Sequence, residues 1–333
     1  MKRESRNAKG ARVVGLGSAA PEGVMTNFDL EKMVETSDEW IRARTGIRER
    51  RIADEKTATS DLSYLAARKA MEAAGVIARE LDGIIVATAT PDMLFPATAC
   101  LLQDRLGARN VAAFDLEAGC SGFIYGMAIG DGMIAAGLGE TILVVGADTL
   151  SKVTDWDDRG TCVLLADGAG AIVLKPSNGP SGILSTHLAS DGSLGPLLCQ
   201  PAGGSRRPAT TETVQEGLHY LKMKGNEVFK YAVRAMEDST NRALKMAGLE
   251  SKDVDLLVPH QANYRIIEAT AKRVGVPMER VCTNIDRYGN TSAASIPLAL
   301  DEALKAGRVG EGDIIAMVAF GAGFTWGAAI VRW

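Results

Sequence analysis

The sequence predicts an α/β fold made of two similar halves, each a sheet with helices on both faces. Three observations lead there. Near-continuous apolar runs alternate along the chain with stretches of helical spacing. Glycine, 36 of 333 residues, gathers at the ends of those runs, where the chain must turn. One stretch of the first half can also be laid on a stretch of the second with a single constant offset.

In order, the apolar runs are "ARVVGLGSA", "DGIIVATAT", "NVAAFDL", "TILVVGAD", "GAIVL", "VDLLVPH" and "DIIAMVAFG". Such runs suit strands buried on both faces, as in a sheet sandwiched by helices. Helical spacing is found from Asp61 to Ala74, Phe123 to Ala136, Asn226 to Met246 and Tyr264 to Val274. The repeat lays "RKAMEAAGVIARELDGIIV" on "NRALKMAGLESKDVDLLVP", so that Ala70 falls on Ala243, Gly75 on Gly248 and Asp82 on Asp255. Further on, "RLGARNVAAFDLEAGCSG" resembles "RVGVPMERVCTNIDRYGNTS", and "GAGAIVL" resembles "WGAAIVR". Helix-loop-strand units share a general likeness, but three similarities in the same order favour duplication. The halves are expected at residues 11–177 and 178–333, with a loop-rich excursion over 178–217 that lines a cleft. Under this alignment Cys120 pairs roughly with Asn290, and Ala87 with His260.

Composition narrows the function. The chain is 46% apolar, enough for a sizeable core, with a formal charge of -4. That balance speaks against nucleic acid as a partner, although "WIRARTGIRERR" is locally basic. No apolar run approaches the ~20 residues of a membrane span. The opening "MKRESRNAKG" lacks the apolar centre of a secretory signal, so a soluble, cytoplasmic protein is expected. Five cysteines (Cys100, Cys120, Cys162, Cys199 and Cys282) are scattered without a C-x-x-C pair, which argues against disulfides and structural zinc.

Most of those thiols suit small buried positions. Cys120 differs in context: a strand ending near Leu116 and a helix starting near Ser121 put it at a helix N-terminus. There the helix dipole is expected to favour the thiolate and lower its pKa. A thiol nucleophile needs a partner, and the chain has three histidines. His187 reads as a strand or loop position and His219 as a surface one. His260 follows an apolar run and Pro259, at the strand end where α/β sheets collect catalytic groups. Asn290, in "YGNTSAASIPLAL", fits an ordinary turn or N-cap. A neutral amide beside a neutral imidazole would also hold a carbonyl oxygen as charge develops on it. The Gly-rich turn in "AFGAGFTWGAAIV" offers backbone N–H groups for a second such site.

With these residues assembled, the sequence resembles the β-ketoacyl-acyl carrier protein synthase III family of the thiolase-like superfamily. The likeness runs from about Ala11 to Trp333 through "TSDEWIRARTGIRERR", "GCSGFIYG", "DRGTCVLLADGAGAIVL", "MKGNEVFKYAV", "PHQANYRII", "YGNTSAASIP" and "FGAGFTWGAAIVRW". It implies a thiolase-like five-layered αβαβα fold of two duplicated halves. It also implies a Cys-His-Asn triad on Cys120, His260 and Asn290, and an oxyanion hole from the N–H groups of Cys120 and Ala322. The reaction implied condenses an acyl-CoA primer, acetyl-CoA being expected, with malonyl-acyl carrier protein and starts type II fatty acid synthesis. Neither a cofactor nor a metal is implied.

Trp40 and Arg159 would sandwich the CoA adenine, with Thr36, Arg44, Gly225, Asn226, Phe229 and Asn263 along the channel. Gln261 and Arg265 would meet the carrier protein, and Phe95 would cross a homodimer interface to shape the acyl pocket. Glu117 and Gly119 stand where small alanines are expected; Glu117 would raise the thiol pKa if it faced the site, and is expected to point elsewhere. The 178–217 segment is unfamiliar, which bears on primer preference. Three rivals are an acyltransferase of secondary metabolism on the same fold, a non-catalytic acyl-binding subunit, and a Cys-His hydrolase.

Overall fold

The computed structural model describes residues 10–333; the basic opening stretch, apart from Gly10, lies outside them. In the first half, strands β1 (Ala11–Ala19), β2 (Gly83–Ala87), β3 (Ala112–Leu116), β4 (Ile142–Thr149) and β5 (Asp167–Pro176) form one sheet. Their order is β1-β5-β4-β2-β3. Strand β2 runs parallel to β3 and β4, while β5 is antiparallel to β4 and β1. In the second half, β6 (Gly182–Ser190), β7 (Leu256–Pro259), β8 (Ile314–Gly321) and β9 (Thr325–Arg332) take the order β7-β8-β9-β6. Here β7 is parallel to β8, and β9 is antiparallel to β8 and β6. The second sheet thus repeats β2-β4-β5-β1 of the first. A parallel bridge between Leu257 and Val281 stands where β3 stands in the first sheet.

The helices that matter here are α1 (Asp38–Thr45), α2 (Thr59–Ala74), α3 (Thr98–Leu106), α4 (Gly122–Ala135), α5 (Gly225–Ala247), α6 (Tyr264–Val274) and α7 (Ser295–Lys305). The residues matched by the repeat do matching work. Gly75 and Gly248 close α2 and α5 in the left-handed conformation, at φ 63° and 70°. Asp82 accepts the Thr141 N–H at 3.0 Å and Asp255 the Ile314 N–H at 2.8 Å, each bracing the start of the next parallel strand.

Strand alternation sorts side chains into three cores. Ile84, Val86, Leu143 and Val145 pack against Leu62, Ala66 and Ala70 of α2. Ile85, Ile142 and Val144 face Phe123 and Met127 of α4, and the same core holds Ile296 and Leu300 of α7 with Leu256, Val258, Ile315 and Met317. Leu257, Ala316, Val318 and Ile330 pack on Val233 and Met236 of α5 and Ile267 of α6. Helix, sheet, helix, sheet, helix is the resulting layer order. Strands β2, β4, β5, β7 and β8 are sandwiched, which is why their sequences read as nearly unbroken apolar residues.

The expected loop-rich excursion needs correcting at its start. Residues 182–190 form β6, at the open edge of the second sheet. Seven of its nine residues are only half-buried, so "GILSTHLAS" lacks a strong apolar signal. The remainder holds short pieces, among them the 3-10 helix Gly192–Leu197 and the helix Thr211–Gln215.

Candidate active site

One cavity of about 610 Å³ reaches between the two halves, and Cys120, His260 and Asn290 all line it. Its walls are mainly apolar, with Met236, Leu198 and Phe320 among them. The three polar groups arrive from separate strand ends. Cys120 lies on a tight 3-10 turn, Gly119–Ser121, between β3 and α4. His260 follows β7, its N–H donating to the Val318 carbonyl at 2.8 Å. Asn290 is pinned to residues 164–166 by two backbone bonds, its N–H to the Leu164 carbonyl and its carbonyl to the Ala166 N–H, each 2.9 Å.

The Cys120 turn is clasped by the hairpin between β8 and β9. A methyl group on Gly321 would sit 2.4 Å from the Cys120 nitrogen, and one on Gly119 2.7 Å from the Ala322 nitrogen. Only glycine allows this approach, and Gly119 also takes φ 49°. The Thr325 hydroxyl fastens the contact, 2.6 Å from the Ala118 carbonyl, 2.9 Å from the Ala322 carbonyl and 2.9 Å from the Ser121 hydroxyl. Cys120 N–H and Ala322 N–H are thereby brought onto adjoining chains.

The expected thiolate is not the resting form. Burial pushes the Cys120 thiol up to about 12; the Ser292 hydroxyl opposes this, while the Asp148 and Glu117 carboxylates add to it. The helix dipole acts the other way, but Cys120 stands on the 3-10 turn, two residues before α4 begins at Gly122. Glu117 is exposed and folds back so that its carboxylate accepts the Gly119 N–H at 3.0 Å.

His260 is 2% exposed, and burial brings its imidazole down from 6.5 to about 3, so it is neutral at pH 7. Its tautomer follows from its neighbours. Ser295 Oγ lies 2.7 Å from His260 Nδ1 and accepts the Gln261 N–H at 3.3 Å. The hydroxyl proton is then free to point at Nδ1, which leaves the ring proton on Nε2. Asn290 is oriented similarly: its Oδ1 accepts the Ser292 N–H at 2.9 Å, and its NH₂ remains as a donor. The site therefore combines a neutral thiol with an imidazole N–H and an amide N–H. Of the other histidines, His187 lies on β6 with Nδ1 2.9 Å from the Ser239 hydroxyl, and His219 packs against Tyr220 with the rings tilted at 41°; neither lines the cavity.

Trp40, Arg44, Gly225, Asn226, Phe229, Asn263 and Arg265 line the outer cavity; Thr36, Arg159, Gln261, Ala322 and Phe95 do not. Arg159 lies directly over the Trp40 ring, 4.9 Å from its centroid, with Arg44 at 5.5 Å. The expected sandwich is closed on itself, and an aromatic guest between the two planes would have to displace the guanidinium. Asn263 caps α6, accepting the Arg265 N–H at 2.9 Å and donating to the Arg44 carbonyl at 3.1 Å, so its amide holds the rim together.

Gln261 does not fit a carrier-protein contact. It is 1% exposed, its amide NH₂ donates to the Pro259 and Cys282 carbonyls and its oxygen accepts the Asn284 N–H. It braces the turn behind His260 instead. Arg265 is exposed at the rim over Phe229. Phe95 is 84% exposed beside Leu94 at 78%, on the loop from β2 to α3. Arg50, from the basic stretch, is wholly buried and donates to the Met25 and Val163 carbonyls, so it serves the fold. Sequence reasoning missed Ser292, Ser295 and Asp148, although both serines sit inside "YGNTSAASIP" and Asp148 ends an apolar run.

Two family models match the chain: 3-oxoacyl-[acyl-carrier-protein (ACP)] synthase III over residues 114–192, and the C-terminal part of the same family over residues 244–333. The β-ketoacyl-[acyl-carrier-protein] synthase III of Caldanaerobacter subterraneus subsp. tengcongensis is 54% identical over 323 residues, 97% of this chain and 98% of that one. The crystal structure of 3-oxoacyl-[acyl-carrier-protein] synthase III from Aquifex aeolicus VF5 is 49% identical, with a TM-score of 0.90 over 97% of this chain and 100% of the other. The priming β-ketosynthase of the R1128 polyketide biosynthetic pathway is 34% identical, with a TM-score of 0.92 over 100% and 99% of the two chains. Agreement over nearly the whole length, in sequence and in fold alike, shows that the chain belongs to the 3-oxoacyl-[acyl-carrier-protein] synthase III family and has its thiolase-like architecture.

Proposed function

We propose that the protein condenses an acyl-CoA primer with malonyl-acyl carrier protein, with loss of CO₂, to start fatty acid synthesis. The observation that carries this reading is the meeting of a thiol with two fixed N–H donors in one largely apolar cavity. Cys120 Sγ attacks the primer thioester and CoA leaves, dividing one hard condensation into two easier steps. Backbone N–H groups of Cys120 and Ala322 hold the oxygen of the tetrahedral intermediate. The malonyl thioester then places its carbonyl oxygen against His260 Nε2–H and Asn290 Nδ2–H. These donors stabilise the enolate formed as CO₂ departs, an effect of about 3 kcal/mol per well-placed donor. The enolate carbon attacks the acyl carbon, Cys120 sulfur leaves, and the 3-oxoacyl product is released.

For the CoA end, Trp40, Arg44 and Arg159 offer stacking and charge once Arg159 lifts from the indole, with Gly225, Asn226 and Phe229 along the channel. An acidic carrier protein would be drawn to the rim by Arg265, Arg44 and Lys230. The exposed Leu94 and Phe95 support a homodimer in which each copy covers the other's loop. A cytoplasmic location completes the reading; among the described residues no helix is long and apolar enough to cross a membrane.

Incubation with acetyl-CoA and malonyl-acyl carrier protein should give a 3-oxoacyl carrier product and free CoA. No product with straight or branched primers would refute the reading. The likeness to a polyketide priming enzyme supports a second one, synthesis of a secondary metabolite from another primer. A preference for a longer or unusual acyl-CoA across a primer panel would favour it.

A further inference from the structure

The two N–H groups that would receive the thioester oxygen, those of Cys120 and Ala322, lie on segments some two hundred residues apart in sequence. Among the described residues no backbone hydrogen bond joins residues 118–121 to residues 321–324. Close contact at Gly119 and Gly321 brings the segments together, yet contact alone fixes no direction for an N–H group. We propose that Thr325 is a positioning residue for this oxyanion site, its hydroxyl setting the Cys120 and Ala322 N–H groups in register. This rests on the reading above that Cys120 becomes acylated.

Thr325 is anchored on the second sheet. It opens β9, paired with Gly321 of β8 on one side and Ser190 of β6 on the other. From there Oγ1 reaches both segments. On the Cys120 side it lies 2.6 Å from the Ala118 carbonyl and 2.9 Å from the Ser121 hydroxyl, and on the hairpin side 2.9 Å from the Ala322 carbonyl. Ser121 Oγ is itself 2.8 Å from the Ala118 carbonyl. Two hydroxyl protons thus serve two carbonyls across the seam.

Those carbonyls are well chosen. The Ala118 carbonyl and the Gly119 N–H share one rigid peptide plane. The hydroxyls hold that plane at its carbonyl, and Glu117 holds it at the N–H, 3.0 Å away. The next peptide carries the Cys120 N–H, turned into place by Gly119 at φ 49°. The Ala322 carbonyl belongs to the same residue as the second donor, so tethering it restrains that donor too.

The side chain is also kept from turning. A methyl on Gly323 would stand 2.7 Å from Thr325 Cγ2, so the threonine methyl lies close against the hairpin. A β-branched chain with one branch so confined keeps one rotamer. Serine would supply the oxygen without that stop, and alanine supplies neither.

The test compares two reactions of the same sulfur. Acylation by acetyl-CoA, followed in a single turnover by intact mass, passes through an oxyanion. Alkylation by iodoacetamide occurs at a saturated carbon and develops none, so it reports the thiol alone. Misplacing a reacting group by about 1 Å costs on the order of 10²-fold, and Thr325→Ala shifts the donors without removing them. It should therefore slow acylation roughly 10- to 10²-fold while alkylation stays within about threefold. Thr325→Ser should recover acylation to within about fivefold of the parent, since the hydroxyl returns. Thr325→Ala that acylates at the parent rate, or that loses acylation and alkylation equally, overturns the proposal. So does Thr325→Ser as slow as Thr325→Ala. If Thr325→Ala does not fold, Thr325→Val, which keeps the branched shape without the hydroxyl, replaces it under the same criteria. An unacylated Cys120 in the parent protein defeats the function reading itself, a different result from parent acylation that ignores the substitutions.

Discussion

The stability of the fold should depend on pH through His260. The native ring sits near 3 because it is buried, whereas the unfolded chain titrates at the ordinary 6.5. Below 6.5 the unfolded state therefore binds a proton that the native state refuses, and stability falls as pH falls. Each pH unit in that window is worth about 1.4 kcal/mol, so at pH 4.5 the loss is about 2.7 kcal/mol, saturating near pH 3. His260→Gln keeps a polar side chain that does not titrate. Urea unfolding of both proteins from pH 7.5 to 4.5 isolates the effect, since the carboxylates shared by the two cancel in the difference. The gap between the curves should change in favour of the variant by about 1.4 kcal/mol per unit below 6.5. Parallel curves would mean that His260 is hydrated or protonated in the native state, and the neutral-donor assignment would go with it.

Cys120→Ser should abolish acyl transfer while leaving some malonyl decarboxylation, measured as CO₂ release; equal loss of both would reverse the division of roles. Asn290→Ala should slow decarboxylation by ~10²–10³ with a smaller effect on acylation of Cys120. Gly321→Ala forces a methyl to 2.4 Å from the Cys120 nitrogen, and backbone cannot yield as a flexible side chain would. It should cost about 1–3 kcal/mol in urea unfolding and slow acylation as well. Trp40→Ala should raise KM for acyl-CoA roughly tenfold with kcat nearly kept, on the scale of one stacking contact; a change confined to kcat would place the indole elsewhere.

The strands of the two sandwiched sheets were legible because burial on both faces removes polar alternation. The helix from Tyr264 to Val274 matches its expected bounds, and the others differ by a residue or two at their ends. Strand β6 was not legible: at a sheet edge, half-buried, it can mix Ser, Thr and His with its apolar residues. The convergence of Cys120, His260 and Asn290 could be guessed from the repeat, since matched strand ends come together when the halves pack. The state of the thiol could not. A dipole is visible from local sequence, but desolvation depends on chain from distant positions, here residues 292 and 321. Ser295 was hidden for the same reason, its bond to His260 spanning 35 positions.

Helices α4 and α7 fill the space between the sheets, and they also fix how far apart the two sides of the cavity stand. Cys120 leads into α4, Asn290 leads into α7, and His260 belongs to the far sheet. The middle layer is therefore a spacer as well as a core. A void opened beneath α2 or α5 should weaken the fold and leave the surviving native molecules fully competent. The same void at Met127 or Ile296 should also let the sulfur drift from its partners, so the two kinds of damage part company when turnover is measured per folded molecule.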